Sequence, residues 1–173
     1  MPQTNSLIRT VHDLGLAGWF GGALMGAAGV NKAAAEAGST DESMRFANAT
    51  WQNWSPINAA AIGAHLVGAA GMTIANRDRM RHQKGVLPLA ITKAVLTAGA
   101  LGMSAYARRL GAQIESADDP DDREIIETRQ RLSQIQWAVP ALTGAMLVIG
   151  ARMSEQQRPR AVADGVVRRL LRR

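Results

Sequence analysis

The chain contains no cysteine in its 173 residues. That excludes disulfides, thiolate-held zinc, iron–sulfur clusters and a thiol nucleophile together. Aromatic residues make up only 4%, so large rings cannot fill much of any core. No Walker loop, HExxH or GxSxG motif is present. His12 and Asp13 are adjacent, but no Ser is spaced to complete a triad with them. Internal repeats and low-complexity tracts are absent as well. On these grounds no catalytic residue, no metal site and no resident cofactor is expected, and the chain reads as a non-enzymatic protein.

Charge is missing in a more telling way. Mean hydropathy is −0.07, a value typical of soluble proteins, yet the charged residues are gathered into clusters. Long stretches between the clusters carry almost none, whereas a soluble amphipathic helix spreads charge at a 3.6-residue period. The uncharged runs are Leu14 to Asn31, Ala47 to Asn76 with its apolar part from Ile57, Val86 to Ala107 interrupted only by Lys93, and Ser133 to Ala151. A membrane-crossing helix needs about 20 mostly apolar residues. The expectation is an all-α, polytopic four-helix transmembrane bundle. Its parts are an N-terminal segment 1–13, a membrane domain 14–152 with spans 14–31, 55–76, 86–107 and 134–152, and a basic tail 153–173. The fourth run is the shortest and contains Pro140, which would kink it. Three crossings plus a surface helix are the alternative.

The connections orient this bundle. The segment Arg77 to Lys84 carries three Arg and one Lys against one Asp, and the tail from Arg152 is strongly basic. Lys32 to Trp54 and Leu110 to Gln136 are acidic on balance. Because Lys and Arg favour the cytoplasmic side, both termini are placed in the cytoplasm of a multi-pass cell-membrane protein. Trp51, Trp54, Tyr106 and Trp137 then fall at the outer interface, where amphipathic rings belong. The net charge of +6 is explained by the inner face, and nucleic acid is not an expected partner. Ala35-Glu36-Ala37 resembles a signal-peptide cleavage site, but Asp13 and Lys32 flank the first run in the wrong places for one.

Gly18, Gly22 and Gly26 are four apart, with Gly15, Gly21 and Gly29 adding small positions. Ala60-Ala64-Gly68 and Ala94-Ala98-Gly102 repeat the spacing. Small residues at this interval let helices approach closely in lipid, either within the bundle or in a homo-oligomer. His65 is a mid-run ionisable residue and so a candidate for holding haem or quinone, or for transport. Its simpler role is a hydrogen bond to Thr92, Thr97 or Thr143 on a neighbouring helix. His12 is expected at the edge of the first span and not level with His65, which argues against a bis-His haem. Lys93 can snorkel to the inner headgroups. Asn31 and Asn58 are candidates for interhelical hydrogen bonds.

Arg77, Arg79, Arg81 and Lys84, with Arg168, Arg169, Arg172 and Arg173 on an amphipathic tail, form a basic surface suited to an anionic inner leaflet or an acidic partner. Between the acidic residues, Asp119 and Pro120 look like a helix start that runs on into the fourth span.

The stretches GLAGWFGGALMGAAGVNKAA, WSPINAAAIGAHLVG and HQKGV resemble small four-span membrane proteins of uncertain function from actinobacteria. The preference for Arg over Lys fits such a source. The resemblance covers the chain to about Arg109 and rests on the W-x-P-x-N-A-A-x-I-G-A-H-L pattern at Trp54–Leu66. The acidic connection and basic tail depart from it. It implies a cytoplasmic-membrane protein with no established activity. Together these readings suggest an accessory or scaffolding subunit of a larger envelope or respiratory assembly, with a protein partner in the membrane. The alternative is a small transport, haem- or quinone-binding protein using His65.

Overall fold

A computed structural model of the chain describes residues 2–75, 77 and 86–155. The described residues are all-helical, without strands. Helix α1 spans Pro2–Met25. A π-helical segment, Gly26–Val30, leads into α2 at Asn31–Ala35. The residues flanking the π segment, Met25 and Asn31, keep right-handed helical dihedrals, so the three pieces make one rod. After a short turn come α3 (Thr40–Ala75) and α4 (Val86–Glu115), then α5 (Arg123–Ile135) and α6 (Ala138–Glu155).

Several ends differ from the sequence reading, each for a local reason. The first helix starts at Pro2, far before the apolar run, because Asp13 and Arg9 are tolerated on a helix once one side faces water. Helix α3 begins at Thr40 because Ser39 caps it: Ser39 Oγ accepts from the Glu42 amide at 3.2 Å. Ser-x-x-Glu is the capping-box pattern. The exposed pair Arg45–Asp41 follows one turn on, and the guanidinium holds the Asp41 carboxyl below its usual value. At 36 residues, α3 is about 54 Å long at 1.5 Å per residue.

The start of α5 is one turn later than the Asp119–Pro120 reading. Asp122 is the cap, accepting from the Glu124 amide at 2.7 Å, while Asp119 Oδ1 takes the Asp121 amide at 2.9 Å in the preceding turn. From α5 the chain stays helical into α6, with one loosened turn at Gln136 and Trp137, where the Trp137 amide bonds to the Gln134 carbonyl at 3.3 Å. Pro140, without an N–H, then sits in the first turn of α6, where a missing donor is harmless. The expected mid-span kink is therefore a loosened turn at the start of the span.

Helix α1 packs along α3 and also against α6, and α4 packs against α6 and α5. The core lies where α1, α4 and α6 meet: Leu16, Trp19, Ala100, Val139 and Met146, with Ile62 of α3 against it. Beyond one end of this core, α2 and the first half of α3 meet the end of α4 and α5. Asn31 hydrogen-bonds to Gln136, Gln52 to Glu115 at 3.1 Å, and Arg129 reaches Met44 Sδ at 2.7 Å. Among the described residues, three helical stretches are long and apolar enough to cross a membrane: Thr40–Ala75, Leu87–Glu115 and Arg123–Met153. Helix α1 is not among them, its apolar stretch being diluted by glycine.

Candidate functional site

The α1–α3 seam runs antiparallel, and small residues set its spacing. A Cβ on Gly15 would fall on the His65 amide nitrogen and 2.6 Å from the Ala61 carbonyl oxygen; the Ala64 carbonyl carbon is 3.0 Å away. One on Gly68 would lie 2.6 Å from the His12 backbone. No side chain fits at either place without moving backbone. Further along, a Cβ on Gly18 would lie 3.2 Å from the Ala61 methyl, Gly22 lies under the Trp54 ring and Gly26 under Trp51. The two tryptophans thus lie in the glycine groove of α1.

This close approach brings two histidines together. The rings of His12 and His65 have centroids 4.4 Å apart, and Trp19 stands 5.9 Å from His65. His12, His65 and Trp19 are 2%, 1% and 0% exposed. The sequence reading placed His12 at a different level from His65, and that is corrected here. It assumed that the helix enters the bundle at Leu14, whereas α1 continues to Pro2 and its register sets His12 against Gly68. The missed signal is the pairing of Gly15 and His12, three apart on α1, with His65 and Gly68, three apart on α3.

Of the three threonines considered for His65, Thr97 is the partner, with Oγ1 at 3.4 Å from Nε2. Thr97 Oγ1 also lies 2.9 Å from the Lys93 carbonyl and 3.1 Å from Met146 Sδ. With its single proton given to either acceptor, the hydroxyl accepts from His65 Nε2–H. Nδ1 is then left as a lone pair, and it is buried with no partner, as is Trp19 Nε1. His12 Nδ1 lies 2.7 Å from Asp13 Oδ1, whose side chain is 61% exposed. A carboxylate accepts, so the His12 proton sits on Nδ1. Thr143, also buried, turns back to the Val139 carbonyl at 2.7 Å.

Two imidazoles on one haem iron stand about 6 Å apart between centroids, given metal–nitrogen bonds near 2 Å. The 4.4 Å contact leaves no such gap, so the pair does not fit a shared iron. Among the described residues no three His, Asp or Glu side chains converge as metal ligands. Lys93 is half-buried on α4. Asn31 bonds to Gln136, while Asn58 Oδ1 is buried without a partner.

The other small residues of interest lie apart from this seam. Ala98 and Gly102 are exposed on α4, and a Cβ on Gly102 would meet nothing within 4 Å. Arg77 is exposed. Arg79, Arg81, Lys84, Arg168, Arg169, Arg172 and Arg173 lie outside the described residues. No family model, no curated protein and no solved structure matches the chain.

Proposed function

We propose that the chain is a four-span protein of the cell membrane with both termini in the cytoplasm, acting as a non-enzymatic accessory or scaffolding subunit of a larger membrane assembly. One observation carries this reading. The apolar stretches of α3 and α4 are only 11% and 6% buried within the chain. Apolar surface left open on this scale calls for lipid or a partner helix. Helix α1 supports the fourth crossing despite its lower hydropathy. It lies antiparallel along the apolar half of α3 and also touches α6, so it presents less of itself to lipid, and glycine is no handicap there. The basic flanks suit an anionic inner leaflet, whose attraction is about 1 kcal/mol per Lys or Arg near the surface. The outward small-residue face of α4 suits a neighbouring helix.

Detergent extraction with mass spectrometry tests the role. Stoichiometric copurification with a larger complex is the expected result. A Soret band, or a bound quinone lost in His65→Ala, would replace it with the cofactor-binding reading. Release into a carbonate-wash supernatant would overturn the membrane reading itself. Orientation is tested from the cysteine-free background: Ser116→Cys is expected to label from outside, and labelling from the cytoplasmic side would invert the topology.

A further inference from the structure

The His12–His65 contact is made where Gly15 and Gly68 bring the α1 and α3 backbones together. Gly15 and Gly68 are both needed to allow it, and the backbones there approach too closely for any added methyl. An apolar pair would fill the same place without leaving a buried nitrogen unpaired. The rings are too close for a shared iron. A proton is the ligand that needs no space. The hydrogen bonds leave it a place: His12 holds its own proton at Nδ1 toward Asp13, and His65 holds its own at Nε2 toward Thr97. The neutral pair therefore keeps one lone pair on each ring, at His12 Nε2 and His65 Nδ1.

We propose that His12 and His65 form a single-proton binding site, taking one added proton from solvent that either ring can hold, at His12 Nε2 or at His65 Nδ1, with Asp13 as counter-charge. Uptake converts two neutral imidazoles into one imidazole and one imidazolium, and the second proton is excluded by repulsion between the rings. The charged groups that face the pair are Asp13 and Arg9 on α1 and Lys93 on α4. Helix α3 from Phe46 to Ala75 and α6 from Ala138 to Ala151 contain no Asp, Glu, Lys or Arg. Because the site lies in the α1–α3 seam, loading it places a positive charge between the two most closely packed helices and couples that seam to pH.

The chain has three histidines, so the test is direct. Full-length protein with 15N-labelled histidine, carrying His82→Gln, is placed in phosphatidylcholine–phosphatidylglycerol nanodiscs and titrated over about pH 4 to 8. The expected result is that both rings respond together and take up one proton per chain. Asp13→Asn should lower the midpoint by about 1 pH unit through loss of the anion, and Lys93→Met should raise it by a similar amount through loss of a cation. Two independent single-ring titrations would overturn the proposal. So would rings that stay unprotonated throughout, or a midpoint unmoved by both variants. The parent titration alone decides the matter if a variant does not fold.

Discussion

The seam between α1 and α3 and the outward face of α4 are written in the same small and apolar residues, yet they end differently. In the seam, Gly15 and Gly68 touch backbone, and Gly22 and Gly26 lie under indole rings. On α4, Ile91 and Val95 are 55% and 65% exposed, and Gly102 faces open space. Small-xxx-small spacing permits close approach. It does not state whether the approach is made within the chain, to lipid or to another protein.

Six substitutions separate the two regions, each read by equilibrium unfolding in mixed micelles. Trp19→Ala has the largest expected effect, about 3 to 5 kcal/mol of lost stability, because it empties a fully buried site in the core where α1, α4 and α6 meet. A smaller value would mean that the seam collapses to fill the space. Next come Gly15→Ala and Gly68→Ala, at about 1 to 3 kcal/mol, since the new methyl meets backbone and not a movable side chain. Neutral behaviour at both positions would refute the antiparallel register described here.

Gly21→Ala and Gly102→Ala should go the other way. Neither position has a neighbour within 4 Å of an added Cβ, so relief of glycine's helix penalty should stabilise each by about 0.5 to 1 kcal/mol. Gly21 adjoins Gly22 in sequence, which makes the pair a sharp contrast: one faces out and the other lies beneath Trp54. Ala98→Leu should be the mildest, within about 0.5 kcal/mol. If α4 docks on a partner, that variant loses copurification while keeping its stability, and the outward face becomes an interface by direct test.

Helical class was legible from composition and charge segregation. The small residues of the seam were legible as a pattern, and so was a hydrogen bond from His65 to a threonine on a neighbouring helix. The Ser39–Glu42 capping box is a local signal independent of the apolar runs, and it carries α3 well upstream of Trp54. Helix starts were placed where charge ends, a rule for bilayers that says little about a helix continuing into water.

What the sequence determined alone was that long uncharged stretches must become helices, since each helix satisfies its backbone hydrogen bonds internally and from local residues. It also determined that some helices would pack without large side chains between them. Only the tertiary structure decided which glycines meet backbone and which face outward. It alone set His12 against His65, and it alone left the apolar sides of α3 and α4 open. The reason is physical: helix periodicity is a property of neighbours along the chain, whereas register and crossing depend on the summed fit of two whole surfaces. A shift of one helical turn would move His12 away from Gly68 without changing a single local preference.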